Sequence, residues 1–321
     1  MLLLQYHNLL LKSVLSERLL EAEPVHSSID QIVSDFDNVT FHISTPEAKT
    51  QVVVSMYIKC FEDLVKYGAN EILQREYGPY MMSPPEPGYN VSLVLNLEQL
   101  IQEQSLEQRQ ELVDRIALLK RNTLAAPFER AFAQFDQLAQ DAANKSLDMY
   151  TPEAAGDTEV MAIHYRDEES IFVKPSHDRV TVIFSTVFKD ETDRIFGKVF
   201  LQEFVDARKR AIQNAPQVLY SHREPPLEIR NLPGLRRSEN VGYVTFVLFP
   251  RHLAPQRRET CISHIQIFRD YFHYHIKCSK AYMHSRMRYR VSEFLKVLNR
   301  AKPEIADKDQ RKTATGRRFR A

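Results

Sequence analysis

The residues best suited to chemistry are few, and each lacks a necessary neighbour. Gly197-Lys198 ends like a phosphate-binding loop, but Thr192 stands where the loop's first glycine is needed, so the backbone cannot wrap a phosphate. His222-Arg223-Glu224 matches the first half of a zinc-deaminase signature. The second half, P-C-x-x-C, is missing, since Cys261 and Cys278 lie 17 residues apart. His222 therefore reads as a polar residue at a strand end. Ser221 beside it is no nucleophile–base pair, because adjacent strand residues face opposite sides. His273, His275 and His284 fall in one helical run, where His273 and His275 point about 200° apart and cannot share a metal. Gly242-Tyr-Val-Thr-Phe-Val-Leu-Phe249 partly matches an aromatic strand on which bases stack. Its Tyr243 and Phe246 are three apart and fall on opposite faces, so Phe246 reads as core. With no G-x-G, G-x-S-x-G or H-E-x-x-H anywhere, no catalytic residue, cofactor or metal site is expected.

The strongest positional signal is a helix. Ile265, Phe268, Phe272, Ile276, Met283, Met287, Val291, Phe294 and Leu298 follow one another at intervals of three, four or seven, one apolar stripe over 34 residues. Such a helix is about 50 Å long, more than the ~20 Å strands of one small sheet can cover. Part of the stripe must pack elsewhere: on another chain, or on itself if the helix breaks near Ser279. The absence of Gly and Pro between Gln256 and Ala301 argues against the break. Lys277, Lys280, Arg286, Arg288, Arg290, Lys296 and Arg300 surround the stripe, with Glu293 alone opposing them after Asp270.

The net charge of +1 conceals an asymmetry. Residues 257–321 hold 17 Lys and Arg against 6 Asp and Glu, leaving the rest of the chain 26 basic and 36 acidic. A basic end on an acidic body suits an anionic partner surface. The 321 residues, 43% apolar and 26% charged, fit two soluble domains. No apolar run is long enough for a membrane span, and no cationic region precedes the apolar Met1–Leu4, so no secretory leader is expected. Cys60, Cys261 and Cys278 suit reduced thiols.

The chain repeats a pattern. Thr50–Lys59 alternates as a strand and leads into helical spacing from Phe61 to Arg75; Asp178–Lys189 and Asp190–Arg210 do the same, with Ile195, Val199, Phe200, Phe204 and Val205 at helical intervals. Strands at Asn90–Leu97 and Gly242–Phe249 follow, each entering a charged helix, 106–121 and 255–300. The fold class expected is α+β: two similar α/β domains with antiparallel sheets covered by helices, plus a long C-terminal helix. The divisions expected are 1–122, 123–256 with a mobile insertion at 140–158, the helix 257–300, and a basic disordered tail 301–321.

Several ordered segments carry a resemblance. Gly88–Leu93, Leu119–Asn122, Ala162–Asp167, Asp178–Asp190, Ala215–Leu219, Ser221–Glu228, Phe249–His252 and Phe268–Tyr282 resemble the family of subunit 2 of the actin-related protein 2/3 complex, through nearly the whole chain. The resemblance implies two similar α/β domains and a non-catalytic scaffold in the cytoplasmic actin cytoskeleton. It implies pairing with subunit 4 through the long helix, support of the two actin-related subunits, and contact with the mother actin filament during branching. On that reading Phe268, Phe272, Ile276, Met283, Met287, Val291, Phe294 and Leu298 form the partner interface. Lys280, Arg286, Arg288, Arg290, Lys296 and Arg300 contact the filament, with Arg208-Lys209-Arg210 as a rival patch. No nucleic acid is expected as partner. The alternative reading of the residues alone is a module whose basic end binds nucleic acid or anionic lipid; it would leave the apolar stripe uncovered.

Overall fold

The computed structural model describes residues 4–21, 27–46, 49–144, 158–210, 212, 214–235 and 238–301. In chain order the elements are α1 (Leu9–Leu19), β1 (Asp30–Asp35), β2 (Val39–Ser44), β3 (Gln51–Ile58), α2 (Phe61–Lys66), α3 (Ala69–Tyr77), β4 (Val91–Asn96), α4 (Leu97–Glu103), α5 (Leu106–Ala117), α6 (Leu119–Thr123) and α7 (Ala126–Asn144). There follow β5 (Met161–Ile163), β6 (Ile171–Pro175), β7 (Val180–Val187), α8 (Glu191–Arg210), β8 (Gln217–His222), β9 (Val241–Leu248) and α9 (Pro255–Arg300). The chain divides into two units, Met1–His273 and Tyr274–Ala321.

Both sheets lie in the first unit and are antiparallel throughout. One runs β1-β2-β3-β4, the other β5-β6-β7-β9-β8. Each is a three-strand meander whose third strand pairs, after a helical excursion, with a later strand: β3 with β4, β7 with β9. This is the α+β class expected, and the repeated order of strand, helix, strand, helix is present.

In the first sheet the period-two rule separates the faces. Val39, Phe41 and Ile43 of β2, Val52, Val54 and Met56 of β3, and Val91, Leu93 and Leu95 of β4 are all buried. The opposite face is polar and is held by side chains. His42 bonds Glu86 through Nδ1 and Asp30 through Nε2, both at 2.8 Å, and stacks on Tyr89. The helical spacing from Phe61 to Arg75 is two helices, not one: Gly68, at φ 104°, takes a left-handed conformation between α2 and α3 that other residues resist.

The second sheet is covered on both faces, which is why β7 and β9 read as nearly unbroken apolar runs. On one face Phe172, Ile183, Val241 and Tyr243 pack around Ile229. On the other an aromatic cluster closes the core. Phe268 of α9 lies 5.4 Å from Phe184 and 4.6 Å from Phe246, centroid to centroid. Phe272 meets Phe188 and Phe200 at 6.2 and 5.5 Å, and Phe204 of α8 meets Phe246. Tyr243 and Phe246 thus serve opposite faces of β9, both in the core. Gly197 permits the close approach of α8: a Cβ there would lie 3.0 Å from the Phe272 ring and 3.1 Å from that of Phe188. Ile195 and Val199, grouped by spacing with the phenylalanines, are exposed instead.

Residues 145–157, most of the insertion expected at 140–158, lie outside the described residues, as does the tail from 302. Residues 140–144 form the last turn of α7.

Phe272→Ala removes a fully buried ring from the centre of the aromatic cluster and should lower unfolding free energy by about 3–5 kcal/mol. Chemical denaturation of the full chain measures this, and a loss under ~1 kcal/mol would refute the cluster's central role.

Candidate interaction surfaces

Charge fixes the first five turns of α9 to both sheets of its unit. Arg121 of α6 donates to Ser263 Oγ at 3.0 Å and to the Glu259 carbonyl at 2.7 Å, and pairs with the Glu259 carboxylate at 2.7 Å. Gln266 donates in return to the Arg121 carbonyl. One turn further on, Arg269 pairs with Glu169 at 2.6 Å and with Asp270 at 3.3 Å. Glu169 is buried and also accepts from the Val187 N–H and the Thr186 hydroxyl. Arg166 reaches Asp37 at 2.7 Å and Asp270 at 3.7 Å, and Lys120 closes the ring on Asp35 and Asp37.

Asp37 and Asn38 sit in the three-residue turn between β1 and β2 with φ of 65° and 55°, a conformation that Asp and Asn adopt more readily than most. That turn aims the Asp37 carboxylate at the ring. None of these pairings was read from the sequence: those that bridge separate segments join residues 83 to 145 positions apart, and no local period marks them. His273, set aside as a metal ligand on helix geometry, is hydrogen-bonded by Nε2 to Thr186 Oγ1 at 2.9 Å. His222 ends β8 and bonds the Glu239 carbonyl. Among the described residues no three His, Cys, Asp or Glu gather as a metal site.

The apolar stripe on α9 divides at Ile276. Phe268 and Phe272 belong to the aromatic core of this chain, Phe272 only 1% exposed, and Ile276 is buried as well. Of the residues expected at the partner interface, Phe272 and Ile276 are thus buried in this chain and Phe268 is half-buried. Beyond them the helix continues unbroken through Ser279 to Arg300. There Met283, Met287, Val291, Phe294 and Leu298 are 50, 63, 57, 63 and 47% exposed, and Tyr282, Tyr289, Leu295 and Val297 are exposed too. That is far more apolar surface than a helix in water normally shows.

Of the six basic positions expected to meet a filament, Arg286, Arg288, Arg290, Lys296 and Arg300 are exposed and Lys280 is half-buried. Arg286 lies over the Tyr282 ring and donates to its hydroxyl, and Lys296 pairs with Glu293 at 2.7 Å. Arg288, Arg290 and Arg300 have no carboxylate within salt-bridge reach among the described residues.

A cleft of about 490 Å³ opens elsewhere in the first unit, floored by Phe172, Val241 and Tyr243. Its charged lining is internally paired: His164 with Asp63 at 2.9 Å, and Lys59 with Asp167. No described helix is long and apolar enough to cross a membrane.

Burial, and then the neighbouring Asp37 carboxylate, push the Asp270 carboxyl up to about 6, against the pull of Lys120, Arg269 and Arg166. The folded state therefore holds this proton more tightly than the unfolded chain does. Stability from this group falls as pH rises from about 4 to about 6 and is level well above that, a change on the order of 3 kcal/mol. Asp270→Asn should flatten that part of the stability–pH curve, as followed by denaturant unfolding at a series of pH values. An unchanged slope would rule out Asp270 as its source.

Comparison with known proteins places the chain in a family. The family model described as "Arp2/3 complex, 34 kD subunit p34-Arc" matches residues 54–305. The actin-related protein 2/3 complex subunit 2 of Schizosaccharomyces pombe is 56% identical over 322 residues, 99% of this chain and 99% of that protein. Its counterpart in Dictyostelium discoideum is 39% identical over 321 residues, 100% of this chain and 99% of that one. A chain with this sequence match, these two antiparallel sheets and this long helix belongs to the p34-Arc family of Arp2/3 complex subunits.

Proposed function

We propose that this chain is a non-catalytic scaffold of an Arp2/3 complex, paired with subunit 4 through the second half of α9 and touching the mother actin filament through that helix's basic side chains. Family membership supports the complex. The observation that carries the pairing is the exposed row Met283, Met287, Val291, Phe294 and Leu298, each about half or more uncovered on a helix that continues without a break. A row of that length is stable in water when a second apolar helix covers it. The actin-related subunits would rest on the pair, and the work would be done at the cytoplasmic actin cytoskeleton. Hydrolysis would belong to other subunits, in keeping with the unmatched phosphate loop at Gly197.

The cations suit a filament because Arg288, Arg290 and Arg300 keep their charge uncompensated while flanking or opposing the apolar row. Charge of this kind steers and orients an encounter, and it weakens with salt.

Met287→Asp buries a lone carboxylate in the pairing surface and should cost several kcal/mol, releasing subunit 4 in a native pull-down from cells. Full recovery of the partner would refute the pairing. The triple reversal Arg288→Glu, Arg290→Glu, Arg300→Glu should leave assembly intact while filament co-sedimentation weakens about tenfold or more. Equal filament affinity would refute that contact, and a purified chain that stays a soluble monomer would refute the scaffold itself.

A further inference from the structure

A second basic site lies in the first unit, remote in sequence from the cations of α9's second half. It is built around the turn at Asn214-Ala215, where the end of α8 meets the start of α9. Arg208, half-buried, donates Nε to the Ala215 carbonyl at 3.0 Å, a bond that does not engage either of its Nη groups. His252 is buried and bonds the adjacent Asn214 carbonyl through Nε2 at 2.8 Å. The Phe249 N–H donates to Nδ1 of the same ring at 2.9 Å, so the ring proton resides on Nε2. Arg251 Nε, 3.3 Å from that nitrogen, meets a proton instead of a lone pair; its guanidinium lies over the Phe249 ring, 5.9 Å from the centroid, and has no acceptor at His252. Arg257 reaches the Arg251 carbonyl through Nη1 at 3.4 Å.

Three guanidinia therefore crowd one turn, and none has a carboxylate within salt-bridge reach among the described residues. Lys209 and Arg210 add to them, Arg210 only loosely paired with Asp206 at 3.9 Å. The first turn of α9 carries no acidic residue, so its positive end is uncompensated as well. The crowding registers on His252, whose pKa is lowered by burial first and then by Arg251, Arg208 and Arg257. The nearby Arg258 shows the contrast, since it is satisfied by Asp136 at 2.7 Å.

From this geometry we propose that Arg208, Arg251 and Arg257 form a binding site for a compact polyphosphate, the headgroup chemistry of an inositol polyphosphate. Each guanidinium keeps donors free in the planar fork that matches two phosphate oxygens, and backbone carbonyls already hold two of the three in place. A ligand bearing several phosphates within a few ångströms meets all three at once, whereas the carboxylates of an acidic protein surface are spread more widely.

The test uses the full chain assembled with its partner subunits. Inositol hexakisphosphate is titrated by calorimetry, and co-sedimentation is measured with phosphatidylcholine vesicles with or without phosphatidylinositol bisphosphate. The wild type should bind at least one of these probes. The triple variant Arg208→Ala, Arg251→Ala, Arg257→Ala should weaken that binding about tenfold or more with its thermal melt unchanged. Should the triple variant fail to fold, the charge-preserving Arg251→Lys should still weaken binding several-fold, because the fork is lost. Binding of the soluble probe alone identifies a free polyphosphate as the source, and binding of the doped vesicles identifies a lipid headgroup. Binding of neither probe, or unchanged affinity in the variants, overturns the site. Displacement as effective by poly-glutamate or by a single-stranded oligonucleotide as by the inositol phosphate overturns the ligand class.

Discussion

Glu169 and Arg269 meet at 2.6 Å in the interior, and the arrangement of the first unit depends on that pair. Glu169 is fixed from one side by the N–H of Val187 and the hydroxyl of Thr186, both at the end of β7. Arg269 comes from α9, and Arg166 carries the same charge cluster across to Asp37 in the β1–β2 turn. Apolar burial is non-directional, so the aromatic cluster alone would tolerate Phe268 and Phe272 sliding across Phe184 and Phe246. A buried ion does not tolerate it. Moved out of register, Glu169 or Arg269 would stand desolvated without a counter-charge, at a cost of several kcal/mol. The network adds little net stability over an apolar substitute of the same volume. What it contributes is a single position for the first turns of α9.

That division of labour explains the composition of α9. Its first turns carry one face of aromatics for the core and another of ions for registry, a mixture that blurs any single amphipathic pattern. From Tyr274 on, the helix keeps its apolar row while its Lys and Arg are opposed by Glu293 alone. Nothing in the row itself marks the change: Phe272 and Phe294 are the same residue type on one apolar row, one 1% exposed and the other 63%. The difference lies in what the fold supplies at each point.

This sets the limit on what was legible in the sequence. The strands β3, β4, β7 and β9 could be read because each alternates or runs apolar within a few residues, and their shared order revealed the duplication. The long helix was legible because no Gly or Pro interrupts it. The β1–β2 hairpin was missed, although Asp37-Asn38 between Ile32-Val33 and Phe41 is a turn signal. Its acidic, exposed edge strand dilutes the alternation. The break at Gly68 was legible in principle, since an isolated glycine inside a helical pattern is a candidate stop. The split of the stripe and the pairing of Arg166, Glu169, Arg269 and Asp270 were not, because both are decided by tertiary contacts between distant segments.

The same reasoning separates the two basic surfaces, which composition merges into one excess of cations. A charge run on a helix is ordinarily a solvated face, and some of the cations around α9 have a ready local account: Lys296 has Glu293 and Arg286 has the Tyr282 ring. Arg208, Arg251 and Arg257 differ in how they come together, although Arg251 too lies over a ring, that of Phe249. They come from two segments more than 40 residues apart and are brought to one turn by the packing of α8 against the second sheet. The buried His252 beside them adds no negative charge to balance them. A fold that gathers like charges at one point bears their repulsion in every molecule. That repulsion is relieved when an anion arrives, which makes convergence from separate segments a better sign of a ligand than the number of cations in any one stretch.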